Sequence, residues 1–540
     1  MVASFVWSGV MESVMSSAIR QAVRPGTDLR WSNLNWYAFS AVVVVVTLVL
    51  FLRWPIVTSI LVLCAGALLV SLFSPLVAIT ATIFWSTFAL PSSTPMYLNV
   101  AGVSIHIYQL LALWAIALYL LRLTVGSRHL AVAHGRFDGA SRFALILLLG
   151  TVAFCIAKGL LAGAAIGVIA EDSRTFINLI LGAAVCWVSV ATKHGVRACF
   201  LTIRLSLVGS AIMTFAAVLG WINLAGRSET ARLYTTSGGD LSFASADSLR
   251  YLTAATAPAL IYCCCVVVGL IVGVRLGLLS IMAFVCSVFI CFMSYSRYQL
   301  LAVVAASVIG LVCLVAREGI VSGSRRIFMI LAVAIGVILL SWVALRVTSS
   351  VGTVSQRISD TIGAYGSRVV GGLSSSSIDL DSSAQDRVIE DRYLIEQFVD
   401  APVLGHGFGF AYRPRIGASG QFSASDLGQY YAHNFYLWSA CKGGLALLGS
   451  FTVVASIGVA RTVRFVRHVA QSCCLLGVYA GLLVCLVFAP LLASAPSGLI
   501  VGAVLASGLF APRIFATDEL AVWSDEFVPA KQQVANRGAS

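Results

Sequence analysis

Blocks of roughly 17–25 apolar residues recur along nearly the whole chain, and each is about the length a helix needs to cross the hydrocarbon core of a bilayer. Candidate spans fall at about 36–52, 55–72, 74–91, 106–122, 143–162, 174–192, 198–223, 251–273, 277–295, 298–316, 327–346, 434–460, 472–492 and 495–512. Closely spaced pairs such as the second and third could form one re-entrant unit. Composition agrees: 59% of 540 residues are apolar, 11% are charged, and mean hydropathy is +0.95. In lipid the backbone must satisfy its own polar groups, which leaves helices for segments of this kind. The fold class expected is therefore an all-α polytopic membrane protein of about 12–14 transmembrane helices. The first thirty residues lack a compact apolar core with a small-residue cleavage site, so no removable signal is expected.

Charge orients the chain. With the N-terminus inside, the links at 123–142, 193–197, 317–326 and 461–468 share one side, and they carry Arg128, Arg136, Arg142, Lys193, Arg197, Arg317, Arg325, Arg326, Arg461, Arg464 and Arg467. Short basic links on one side mark the cytoplasmic face. Both termini are then cytoplasmic: residues 1–35 precede the first span and 514–540 form a polar tail. The net charge of +13 serves this topology, with anionic lipid headgroups as counter-charge, and calls for no nucleic acid.

Between the spans of 36–346 and those of 433–513 lies one long polar insertion, 347–432, on the opposite side. Loops that long are usually functional or disordered. Residues 347–433 carry nine acidic residues against six arginines and no cysteine, which excludes a disulfide framework there. All cysteines lie in or beside spans, as small buried hydrophobes do. No CxxC pair or His/Cys cluster points to a metal, and no cofactor is expected. Residues 347–382 read as a Ser/Gly-rich connector. From Ala384 to Val399, helical spacing of Val388, Leu394, Ile395, Phe398 and Val399 predicts an amphipathic helix at the membrane surface. Arg387, Glu390, Asp391 and Arg392 fall on its other faces. Pro402 and the glycines of Gly405-His406-Gly407-Phe408-Gly409 end it.

Arginine at the edge of a span is costly without a partner. Arg297 starts the tenth span, Arg174 the sixth, and Arg250 precedes the eighth, all on the side of the long loop. Together with Arg387 they suit a membrane-anchored polyanion, because guanidinium grips phosphate oxygens bidentately. A lipid-linked diphosphate presents its phosphates at this depth. Glycan transfer from it needs leaving-group charge stabilised, which arginine does without a metal. It also needs a base for the acceptor hydroxyl, and His433 at a helix start suits that, since the dipole there favours neutral imidazole.

Each residue has a plainer reading. Arg387 could pair with Asp391 four residues on, Arg297 could snorkel to headgroups, and His433 with Asn434 could cap a helix. His406 reads rather as a turn residue, and Arg204 as snorkelling to the cytoplasmic side. The motif as a whole reads as the lid and base of a lipid-diphosphate site.

The arrangement resembles the O-antigen ligase and O-antigen polymerase superfamily of bacterial envelope proteins. Its matching parts are Ser294-Tyr295-Ser296-Arg297, Arg387 opening the loop helix, Ala401-Pro402-Val403-Leu404-Gly405-His406-Gly407-Phe408-Gly409, His433-Asn434-Phe435-Tyr436-Leu437, and Gly443-Gly444. These parts cover about 290–450. The resemblance implies about twelve spans and a large periplasmic loop in the bacterial cytoplasmic membrane. It implies metal-independent, inverting transfer from a polyprenyl-diphosphate-linked glycan to a glycan or lipid-glycan acceptor. Arg297 and Arg387 would bind the diphosphate, and His433 would be the base. Polymerase and ligase stay equally open.

Two rival functions fit the chain less well. A metal-dependent lipid-linked glycosyltransferase needs carboxylates in the first external loop, yet the chain has no Asp or Glu between Asp28 and Asp138. A transporter or flippase of lipid-linked glycans would carry ionisable residues along a central pathway, and acidic residues are absent from the middle of every expected span.

Overall fold

The computed structural model describes residues 75–91, 94, 97–100, 103–125, 138–192, 194–218, 221–222, 224, 231–235, 249–294, 296–319, 382–414, 429–493 and 495–515. For 100, 125, 218, 231–235, 249–251, 382–386 and 495 it describes the backbone alone. The expected spans at 36–52, 55–72 and 327–346, the connector up to 381 and the polar tail fall outside these residues.

Each of the other eleven expected spans is a helix: α1 (Pro75–Thr87), α2 (Ile107–Val125), α3 (Gly139–Leu161), α4 (Ile166–Ala191), α5 (Gly195–Val218), α6 (Thr256–Ile271), α7 (Leu278–Ser294), α8 (Arg297–Gly319), and, after the long insertion, α10 (Phe435–Val463), α11 (Ala470–Phe488) and α12 (Ala495–Ser507). The chain is an all-α polytopic membrane protein, with eight helices among the described residues long and apolar enough to span. Their faces follow the bilayer. In α3, Ala144, Leu148, Val152, Cys155 and Gly159 turn inward at helical spacing. Phe143, Ile146 and Leu149 turn outward and stay exposed, as lipid-facing side chains do.

Two links hold short antiparallel hairpins. One pairs β1 (Tyr97–Val100) with β2 (Val103–His106), and the other pairs β3 (Ala231–Thr235) with β4 (Leu249–Thr253). These are small additions to a helical fold.

The sixth span begins earlier than its hydropathy indicates. Helix α4 starts at Ile166, so Glu171, Asp172 and Arg174 lie inside it rather than in the preceding link. Charge at this depth is tolerated because each group has a partner: Arg174 Nη1 bonds Glu171 Oε1 at 2.8 Å, and Asp172 Oδ2 accepts from Lys442 Nζ of α10 at 2.5 Å.

The insertion carries the expected helix, α9 (Ser382–Asp400). Its apolar stripe turns away from the protein, as a helix lying at the membrane surface requires. Leu394 and Glu390 are buried together, whereas Val388, Ile395 and Val399 are exposed. A carboxylate faces the protein and an apolar stripe faces away, the reverse of a helix packed on a water-soluble core.

Helix α10 is broken at Gly444, whose φ of 62° and ψ of −162° are not helical. A continuous helix would bond Leu445 N to Cys441 O and Ala446 N to Lys442 O. Here Leu445 N bonds Pro402 O (2.8 Å) and Ala446 N bonds Val403 O (3.1 Å). The released acceptors are taken by His406 N on Cys441 O (3.0 Å) and Gly407 N on Lys442 O (2.7 Å). Residues 402–407 thus splice into the break and satisfy both donors and both acceptors, as non-helical backbone buried in a membrane protein must.

Candidate functional site

The glycine segment is a clasp, not a lid. Phe408 is fully buried, and its N–H reaches Cys155 O of α3 at 3.1 Å. Its ring stacks with Phe176 of α4 and Trp438 of α10. Gly405, Gly407 and Gly409 all have positive φ. A Cβ on Gly405 would sit 2.4 Å from Gly443 N, and one on Gly444 would sit 2.3 Å from the Val403 carbonyl carbon. Only glycine fits where two backbones touch. Asp172 Oδ2 also accepts from Gly409 N (2.7 Å), and Lys442 Nζ donates to Phe410 O (2.7 Å). One buried ion pair therefore ties α4, the clasp and α10 together. His406 serves the same clasp: its ring stacks on Phe410 at 4.0 Å, and Nε2 lies 2.8 Å from Gln397 O. It is a turn residue, as read from the sequence.

His433 sits in a different setting. Asn434 caps α10, its Oδ1 accepting from Tyr436 N and Leu437 N. That cap leaves the His433 ring just outside the first turn, against α9. Glu390 Oε2 accepts from His433 N (3.2 Å) and lies 2.9 Å from His433 Nδ1. Arg413 Nη1 stands 3.4 Å from Glu390 Oε1, with both side chains almost fully buried. The His433 side chain keeps 34% of its surface exposed. Tyr431 meets the ring edge-on at 5.3 Å. Burial pushes the neighbouring Asp391 carboxyl above the usual carboxylate range. Glu390 adds to that shift, while Asn434, Arg387 and His433 oppose it.

Arg387 lies one turn before Glu390 on α9. Its Nε is buried without a hydrogen bond, and its charge acts on the Asp391 carboxyl four residues on. Arg297 starts α8, and its neighbour Tyr298 offers a carbonyl to Cys485 Sγ of α11 (3.4 Å). Two residues away on α11, Leu483 O accepts from the Tyr436 hydroxyl of α10 (2.8 Å). The starts of α8 and α10 thus meet the same stretch of α11, which puts Arg297 and His433 at one end of the bundle. Arg174 is committed to Glu171 and makes a 3.4 Å contact with Ser104 O of β2. No described contact joins it to the His433 corner. Arg250 pairs across β4 with Tyr234 of β3, and only its backbone is described. Arg204 Nη1 meets Ser280 Oγ at the start of α7 (3.2 Å).

Sequence reasoning overlooked Glu390, Arg413, Asp172 and Lys442. Lys442 carried a readable signal, since a lysine inside an apolar span needs a partner, whereas Asp172 reads from sequence as part of a polar link. The opposite end of the bundle also forms as the charge pattern implied. Arg461 meets Asp138, Ser141 and Leu509 O, and Arg317 Nη1 donates to Val466 O (2.7 Å), which brings three of the basic links together.

Among the described residues no group of three or more His, Cys, Asp or Glu is arranged to hold a metal ion. Residues 282–452 match the family model described as O-antigen ligase. The match takes in Arg297, Arg387, Glu390, the clasp, Arg413, His433 and the α10 break, and leaves Arg174, Arg250 and Asp172 outside. A search of curated proteins finds no match.

Proposed function

We propose that the chain transfers a glycan from a polyprenyl-diphosphate-linked donor to an acceptor hydroxyl, a reading supported by the match of residues 282–452 to the family model described as O-antigen ligase. The reaction takes place at the outer face of the bacterial cytoplasmic membrane, with inversion and without a metal. The acceptor is a glycan or lipid-glycan, and both termini lie in the cytoplasm. The observation that carries this reading is the corner where Arg387 and His433 flank the start of α10, with the His433 ring still accessible. Its chemistry supplies what the reaction needs. The acceptor oxygen attacks the anomeric carbon and gives its proton to His433. The carbon–oxygen bond to the diphosphate breaks, and the electron pair leaves on phosphate oxygen. Arg387 and Arg297 stabilise that charge by bidentate hydrogen bonds. Arg250 would extend the basic lining, and Arg174 would join it only by exchanging Glu171 for phosphate.

The flippase alternative gains one buried acid, Asp172, but Lys442 and Gly409 N both bond its Oδ2 and tie it into a junction of α4, the clasp and α10. The test is transfer by the purified protein from a lipid-diphosphate-linked glycan to candidate acceptors, with and without EDTA. Growth of the carrier-bound chain identifies a polymerase, and release from the carrier to another acceptor identifies a ligase. Transfer that EDTA abolishes and a divalent cation restores would overturn the metal-independent mechanism.

A further inference from the structure

We propose that Glu390 is the positioning residue for His433, fixing its tautomer and stabilising the imidazolium formed during transfer. The inference rests on the glycan-transfer reading. Glu390 Oε2 accepts from the His433 backbone N–H, and the Arg413 guanidinium lies beside Oε1. A carboxylate oxygen only accepts, so the contact to Nδ1 at 2.9 Å is read as a donation from Nδ1–H. The neutral ring then carries its lone pair on Nε2, which makes no hydrogen bond among the described residues. The accessible nitrogen is the basic one.

When Nε2 takes the acceptor proton, the ring becomes cationic against a carboxylate already in place. No rearrangement is needed at the moment of reaction. The helix start at α10 opposes that cation, and Glu390 answers it from another element. Among the described residues the other groups facing the corner are Arg387 and Asp391 from α9, Arg413 and Tyr412 from the segment after the clasp, and Tyr431. The partner hydrogen-bonded to Nδ1 is the Glu390 carboxylate. Asp391 is the other acid nearby, and burial raises its pKa above the usual carboxylate range. A plainer role for Glu390, fastening α9 to α10, uses the same bonds and makes different predictions.

Glu390→Gln keeps the size and one acceptor oxygen for the His433 N–H. We expect kcat to fall about 10- to 100-fold, with KM within about 2-fold and the thermal midpoint in detergent nearly unchanged. The acid limb of the kcat profile should move to lower pH, because the imidazolium loses its carboxylate. Glu390→Asp should recover part of the rate. A second readout needs no substrate: diethyl pyrocarbonate acylates neutral imidazole, and mass spectrometry of the His433 peptide gives its reactivity against pH. In Glu390→Gln that profile should shift to lower pH. An unshifted profile, or activity lost only in proportion to folded protein, overturns the positioning role. Full transfer by His433→Ala overturns the function reading instead, whatever the acylation profile shows.

Discussion

Two histidines, His406 within the long insertion and His433 just after it, end in environments built on opposite principles. Around His406 the backbone does the work: four main-chain hydrogen bonds replace the two broken in α10, and side chains are needed mainly to be missing. Around His433 the backbone is a plain capped helix start, and ionisable side chains from α9 and the segment after the clasp converge on one ring. The clasp is held by main-chain hydrogen bonds and by the buried Asp172–Lys442 pair. The His433 side chain keeps about a third of its surface exposed. On the proposed reading, structure and chemistry are divided between neighbouring stretches of chain.

The sharpest way to break this comparison is to truncate both histidines. His433→Ala should lower kcat by about 10²- to 10⁴-fold with the fold intact, whereas His406→Ala should stay within about 3-fold. Equal losses in a transfer assay would erase the division. Next in size is the ion pair beneath the clasp. Lys442→Met leaves Asp172 buried without its cation and should cost about 3–5 kcal/mol in thermal or denaturant unfolding, part of which Asp172→Asn restores in the double variant. Gly405→Ala forces a Cβ against backbone at positive φ. It should destabilise by about 2–3 kcal/mol, while any folded fraction transfers glycan at the normal rate. A low specific activity in that fraction would mean that the clasp reaches into the chemistry.

The smallest effect concerns a third histidine. His106 ends β2 fully buried, and burial first, then the Arg174 charge, lowers its pKa to about 3. The unfolded chain takes up this proton near pH 6.5 and the folded protein does not. Stability from this group is therefore complete above pH 6.5 and is lost as pH falls from there towards 3. The loss should reach about 1 kcal/mol by pH 5.5. His106→Phe should flatten that part of the stability profile, and an unchanged slope would remove His106 as its cause.

Much of the fold was legible because hydrophobic length is a local property. Eleven spans, the helix at 382–400 and the cap at Asn434 all follow from residues close together in sequence. The start of α4 was misplaced because Glu171, Asp172 and Arg174 look like a polar link until their partners are known. The inward turn of Glu390 was hidden for a related reason. Helical spacing identifies two faces of α9 but does not say which one meets the protein, and in a membrane protein the apolar one can face out. At the candidate site, sequence supplied Arg387 and His433 but not Glu390 and Arg413, since neither stands in a motif of its own.

The sequence by itself determined that this chain is a bundle of membrane helices, which side of it is basic, and where an arginine-rich polar loop interrupts the pattern. Those properties depend on solvation, and solvation is read residue by residue. Only the tertiary structure decided that the glycines of 405–409 mend a broken helix and that a carboxylate on α9 grips His433. Both outcomes depend on which distant groups meet. Hydrogen bonds act over about 3 Å, and separation along the chain says nothing about which partners come that close.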